Sequence, residues 1–311
     1  MIRIAIAQHA PRVLQREETL ALAGELIAEA AAQGARLVIF PEAFVPGYPA
    51  WVWRLRPGSD WDLCAQLHGR LSEQAVDIPA GDLAPVLAAA ERHAVSVVLG
   101  FNERDGEAGR STLYNSVVLI GPDGQLQNHH RKLMPTNPER TVWGPGDAAG
   151  LRVLETPAGR LGTLLCWENY MPLARYALYA QGMDLLVAPT YDSGSDWLGT
   201  LGHIAREGGC WVVSAGVALR RDDLPEDMPG RNHLYPEGED WINPGDSAVI
   251  APGGACIAGP MTREQGLLLA DIEPERAREA RRCFDVAGHY ARPELLSLSV
   301  DRQRHKPVEF H

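Results

Sequence analysis

The run Arg36-Leu37-Val38-Ile39-Phe40-Pro41-Glu42 decides the fold. Four consecutive apolar residues without alternation suit a strand buried on both faces, and Pro41 ends it because proline brings no N–H to a sheet ladder. Upstream, Met1 to Gln8 alternates as a strand does, Leu22, Leu26 and Ala30 recur at helical spacing within 19–33, and Gly34 stands where a helix C-cap is wanted. Downstream the order repeats, with an Ala-rich helix over 84–93 and a strand over 95–101. Segments 114–120 and 126–133 then flank Gly121-Pro122-Asp123-Gly124, a turn that makes them a hairpin. Strands are expected at 161–166, 184–188 and 211–215, with helices at 173–181 and 197–207 between them. A hairpin over 247–250 and 255–258 and a helix over 273–282 complete the pattern. Helix–strand units mixed with hairpins predict sheets with helices packed against them, α+β or mixed α/β. No linker or low-complexity segment divides the chain, so residues 1–311 are expected to form one domain. Residues 105–110 and 222–239, rich in polar residues, glycine and proline, read as surface loops.

Composition narrows the function. Lys and Arg number 29 against 40 Asp and Glu, a net charge of −11, which argues against nucleic acid as a partner. Hydrophobic residues make up 45% and charged residues 22%, as in folded proteins with a large core. Apolar runs such as 211–219 fall short of the ~20 residues that span a bilayer. The N-terminal run is too short for a signal-peptide core, so a cytoplasmic location and no membrane partner are expected. Cys64, Cys166, Cys210, Cys256 and Cys283 are odd in number, widely spaced and form no CxxC, so reduced thiols are expected and no thiolate metal site.

In open α/β sheets ligands gather at the carboxyl ends of strands. Two apolar runs end there in reactive residues: Glu42 after Pro41, and Cys166-Trp167-Glu168-Asn169 after Leu165. A carboxylate at the end of a buried strand titrates high unless paired, which makes Glu42 a candidate general base. Taken alone, Cys166 reads equally as a small buried hydrophobe. His129-His130-Arg131-Lys132-Leu133-Met134-Pro135 places Lys132 at the end of a hairpin strand, where a solvated lysine is the plainer reading. Together the three form an acyl-transfer set of base, nucleophile and cationic stabiliser. His129 and His130 point to opposite faces of a strand and cannot share a metal ion. His203 and His289 read as structural.

Three segments now carry a resemblance: Phe40-Pro41-Glu42-Ala43-Phe44-Val45-Pro46-Gly47-Tyr48-Pro49, Arg131-Lys132-Leu133-Met134-Pro135-Thr136, and Cys166-Trp167-Glu168-Asn169-Tyr170-Met171-Pro172. In this order they resemble the signature segments of the nitrilase branch of the carbon-nitrogen hydrolase superfamily. The likeness runs on through Glu139-Arg140-Thr141-Val142-Trp143-Gly144, Val187-Ala188-Pro189-Thr190-Tyr191, residues 241–247 and residues 288–293, nearly the whole chain. It departs at Asn137-Pro138, where a histidine or tyrosine is common, and at Ala148, where glycine is usual; both are expected near the pocket entrance.

The resemblance implies an α+β fold, a four-layer αββα sandwich, with Glu42, Lys132 and Cys166 as catalytic triad and Glu139 as a second carboxylate positioning Lys132. Without the resemblance Glu139 reads as a surface glutamate paired with Arg140. The implied reaction is attack of Cys166 on the carbon of a small-molecule nitrile, giving a thioimidate, then a thioester, then acid and ammonia, with no cofactor or metal. Lys132 would stabilise negative charge and favour the Cys166 thiolate. Tyr48, Trp51, Trp167, Thr190 and Tyr191 flank the implied site and are expected to shape its pocket, although core packing suits Trp51 and Tyr191 as well. The resemblance also implies a homodimer or higher homo-oligomer, possibly a spiral, with the helix after Cys166 at the interface. An amidase or carbamoylase using the same triad, a thiol redox or binding protein and a structural filament protein are the competing readings.

Overall fold

The strand Leu37–Ile39 lies inside a six-stranded sheet, fully buried, with Ile2–Gln8 parallel on one side and Ser96–Arg104 parallel on the other. The computed structural model describes every residue except 57, 106–110, 239, 305–307 and 309–311. Among the described residues the chain runs β1 (Ile2–Gln8), α1 (Arg16–Ala32), β2 (Leu37–Ile39), α2 (Trp61–Gln74), α3 (Ala84–His93), β3 (Ser96–Arg104), β4 (Leu113–Ile120) and β5 (Leu126–Arg131). It continues β6 (Leu154–Thr156), β7 (Gly159–Thr163), α4 (Pro172–Tyr179), β8 (Leu185–Thr190), α5 (Ser195–Gly208), β9 (Trp211–Gly216) and β10 (Ala218–Arg220). The last elements are α6 (Arg231–Leu234), β11 (Trp241–Ile250), β12 (Cys256–Thr262), β13 (Gly266–Ile272) and α7 (Glu275–Arg281).

The first sheet has the order β13-β1-β2-β3-β4-β5; the second runs β10-β11-β9-β8-β7-β6, with β12 also paired to β11. Because side chains alternate along a strand, each sheet buries two faces. Ile4, Ile6, Leu37, Ile39 and Val98 of the first sheet meet Leu161, Leu185, Val187, Val213 and Val249 of the second. The opposite face of the first sheet, with Ala5, Val38 and Val97, packs on Leu26 and Ile27 of α1 and Val86 of α3. The opposite face of the second, with Leu186, Val212 and Ile250, packs on Leu178 of α4 and Leu201 and Ile204 of α5. This is the four-layer αββα sandwich.

The structure differs from the sequence expectation at several places. The strand expected over 161–166 leaves the ladder after Thr163, so Cys166 stands in a turn. Helix α2 escapes the periodicity reading because only Leu67 and Leu71 of its fourteen residues are buried. Strand β13 completes the sheet edge beside β1. Residues 222–238 are not a solvated loop: Leu224, Met228, Leu234 and Tyr235 anchor them in a cluster with Leu67, Leu71 and Trp143. Of the expected 105–110 loop only Asp105 is among the described residues; it is buried and lies 3.8 Å from Arg131.

Candidate active site

Four turns converge at the carboxyl ends of the parallel strands. Glu42 follows β2 at Pro41, and β3 can run beside that turn because residue 100 is glycine: a Cβ there would lie 2.3 Å from the Pro41 carbonyl oxygen. Lys132 follows β5, its N–H held by the Asn115 carbonyl at 2.8 Å. Glu139 sits in the 3-10 turn Asn137–Thr141, and Cys166 opens the 3-10 turn Cys166–Tyr170. Three of these turns hold a non-glycine residue in the left-handed region: Ala43 (φ 49°), Asn137 (φ 43°) and Cys166 itself (φ 47°). Each such residue costs on the order of 1–2 kcal/mol, a strain tolerated where the surrounding packing fixes the turn. Asparagine bears this conformation more easily than most residues, which gives the departure at Asn137 a physical reason.

The charged groups form one buried chain. Lys132 Nζ donates to Glu42 Oε1 at 2.7 Å and to Glu139 Oε2 at 2.8 Å, and all three side chains are almost fully buried. Glu42 also accepts from Asn115 Nδ2 at 2.7 Å and from the Tyr191 N–H at 2.8 Å. Glu139 accepts from the Tyr48 hydroxyl at 2.6 Å and the Thr136 N–H at 2.6 Å, and Trp53 Nε1 donates to the Tyr48 oxygen at 2.9 Å. Burial raises Glu42 above the usual carboxylate range, Lys132 working against it and Glu139 with it. Burial opposes charge on Lys132 too, but Glu42, Cys166 and Glu139 outweigh it and hold the ammonium protonated.

The Cys166 thiol is pushed up to about 12, first by burial and next by the Glu42 carboxylate; Lys132 pulls the other way and does not prevail. Lys132 favours the thiolate, as expected, but burial and Glu42 outweigh it. At neutral pH the sulfur carries its proton beside a buried carboxylate able to receive it, with the Thr190 hydroxyl as a hydrogen-bond partner. Such a site suits nucleophilic attack with proton transfer. It ill suits a redox-sensing thiol, which needs a lowered pKa and access.

Of the expected pocket residues, Tyr48 and Tyr191 stack with ring centroids 3.7 Å apart, and Thr190 ends β8, fully buried. Trp167 is half-exposed, its indole N–H bonded to Asp192 Oδ2 at 2.7 Å. Trp51 is buried in one cluster with Tyr48, Leu67 and Leu71, and Trp53, two residues on, donates to the Tyr48 hydroxyl. Ala148 packs with Leu133 and Leu151 in the α4–α5 layer. His129 bonds Glu103 at 2.7 Å and His130 bonds Glu168 at 3.0 Å, on separate elements; His203 pairs with Glu207 at 3.3 Å, and exposed His289 lies beside Tyr290. Sequence reasoning passed over Asn115, Trp53 and the full role of Glu168. An asparagine inside an apolar strand was a signal for the first, since its amide must find a partner.

The chain is similar to known proteins over almost its whole length. The family model described as carbon-nitrogen hydrolase matches residues 3–282. The bifunctional nitrilase/nitrile hydratase NIT4A of Lupinus angustifolius is 39% identical over 316 residues, covering 99% of this chain and 88% of its own. Nitrilase 2 of Arabidopsis thaliana is 38% identical, covering 100% and 91%. Among solved structures, an amidase from Nesterenkonia sp. superposes with a TM-score of 0.66 at 24% identity over 90% of this chain and 94% of its own, which speaks to the fold alone. With the αββα sandwich in place and the family model spanning nearly the whole length, the chain belongs to the carbon-nitrogen hydrolase family.

Proposed function

We propose that this enzyme hydrolyses a small organic nitrile to the carboxylic acid and ammonia, with Cys166 as nucleophile, Glu42 as general base, Lys132 as stabiliser of negative charge and Glu139 as the carboxylate that positions Lys132. The observation that carries the reading is the buried Glu42–Lys132–Glu139 chain with the Cys166 thiol within reach of its charges. Nitrile is preferred to amide as substrate because the relatives near 39% identity over almost the whole chain are named nitrilases.

As the S–C bond forms on the nitrile carbon, the thiol proton passes to Glu42 and then to nitrogen, giving a thioimidate. Glu42 activates a water that adds to the same carbon, and a tetrahedral adduct results. Lys132 and the Trp167 backbone N–H stabilise negative charge there. Loss of ammonia leaves a thioester, and a second water releases the acid and the thiol. No step requires a metal or cofactor. Tyr48, Trp51, Thr190, Tyr191 and Trp167, joined by Trp53, are assigned to the pocket wall. The chain is read as one domain, active as a homo-oligomer; the unpaired, widely spaced cysteines support a cytoplasmic location.

The test is release of ammonia, acid and amide from aliphatic, aryl and arylaceto nitriles and their matching amides, by wild type and Cys166→Ala. Nitrile turnover that falls by on the order of 10⁴-fold in the variant supports the reading. Turnover of amides alone moves the assignment to amidase, and turnover of neither, with Cys166 still alkylated, to a thiol-binding protein.

A further inference from the structure

Glu168, two residues beyond the nucleophile, is buried and belongs to neither the triad nor the pocket wall. Its carboxylate joins the two catalytic turns. Oε1 accepts the N–H of Leu133, the residue after Lys132, at 2.7 Å. Oε2 accepts the N–H of Leu165, the residue before Cys166, at 2.6 Å. His130 Nε2 lies 3.0 and 3.1 Å from the two oxygens and supplies a third donor. A carboxylate only accepts, so His130 Nε2 is the donor of this bond. Among the hydrogen bonds between side chain and backbone in the described residues, this carboxylate ties the lysine turn directly to the cysteine turn.

We infer that Glu168 is a positioning residue that sets where Lys132 stands relative to the adduct on Cys166, and thereby how that adduct divides between acid and amide. The inference rests on the nitrilase reading and deepens it. The tetrahedral adduct carries sulfur, nitrogen and oxygen on one carbon. If nitrogen takes a proton and the C–N bond breaks, ammonia leaves and the thioester goes on to acid. If the C–S bond breaks, the sulfur leaves as thiolate, regains its proton from Glu42, and the amide is released. Which bond breaks depends on how the charges of Glu42 and Lys132 lie against nitrogen and sulfur. Misplacement of about 1 Å is enough to change such rates by roughly 100-fold. The division of product is also independent of how much enzyme is folded, so a merely stabilising role leaves it unmoved.

Glu168→Gln keeps the shape and replaces one accepting oxygen by a donating NH2, which sets a donor against either the Leu133 or the Leu165 N–H. Glu168→Asp keeps both acceptors and shortens the reach by one methylene. His130→Asn removes the third donor without touching either turn, and serves if the Glu168 variants do not accumulate. Wild type and variants are compared on the nitriles that wild type turns over, with active sites counted by alkylation of Cys166. The expected result is an amide share raised by about fivefold or more in Glu168→Gln and Glu168→Asp, and raised less in His130→Asn. kcat per active site should fall by about tenfold or more while KM moves by less than about threefold. An amide share and kcat per active site equal to wild type in every variant that folds would overturn the inference. Wild type that fails to turn over any nitrile overturns the nitrilase reading instead, so the two failures are distinct.

Discussion

Glu42 is read as a base although it is bonded to a cation, because burial outweighs the lysine. Its function as a base is lost as pH falls through its folded pKa, which lies above the ordinary range. The acid limb of kcat/KM should therefore stand higher than a free glutamate gives. Asn115 donates to the charged form, so Asn115→Ala removes a bond that favours the anion and raises Glu42 further. The expected outcome is a limb displaced to higher pH in the variant, with its shape kept; a limb that stays put or moves down in the pH–rate profile counts against Glu42 as the titrating base. The carboxylate, lysine and cysteine were legible at this scale because each stands out chemically at the end of an apolar run. Asn115 and Glu168 were not, since their meaning lies in which distant backbone or side chain they meet.

At the scale of elements, β3 and β5 are joined across the sheet by a buried charge cluster behind Lys132. Glu103 of β3 takes hydrogen bonds from Arg131, from His129 at 2.7 Å and from Ser116. Burial alone would raise the Glu103 carboxyl; the bonds from His129 and Arg131 outweigh it and hold it at about 2, against an ordinary 4.5. A carboxyl depressed in the folded state contributes stability that is present above its unfolded value and lost as pH falls toward the folded one. The contribution is on the order of 3 kcal/mol, disappearing between about pH 5 and pH 2. Urea midpoints should fall over that window in wild type, and Glu103→Gln should start lower at pH 6 and show a shallower pH dependence, other lowered carboxyls such as Glu207 keeping their share. Equal pH slopes in the two proteins would remove this cluster from the account of stability. The hairpin itself was legible from its turn residues, whereas the pairing of Glu103 with Arg131 depends on register between strands far apart in sequence.

At the scale of the molecule, the turn and helix after Cys166 leave Trp167, Tyr170, Met171 and Leu173 exposed, Leu173 by 65%. This exposed apolar stretch coincides with the helix expected at a subunit interface, and the proposed homo-oligomer would cover it. Light scattering should give a mass of at least two chains, and Leu173→Lys should shift the population toward monomer. A monomeric wild type, or a variant of unchanged mass, places the assembly surface elsewhere or removes it. The same helix begins six residues beyond the nucleophile.

Local chemistry by itself determined much of this protein: the buried parallel strands from unbroken apolar runs, the hairpin from its Pro-Asp-Gly turn, and the reactive residues from their place at strand ends. Long-range packing decided the rest. Helix α2 shows little pattern of its own and forms because a neighbouring surface is there to cover it, and the apolar run Leu267–Ala270 becomes a sheet edge only by pairing with β1. The state of Cys166 was likewise settled in three dimensions, since burial and the Glu42 charge outweigh the nearby lysine. Glu168 gained its place for the same reason: a carboxylate three residues from Leu165 in sequence meets Leu133, 35 residues away, only once the two sheets have packed.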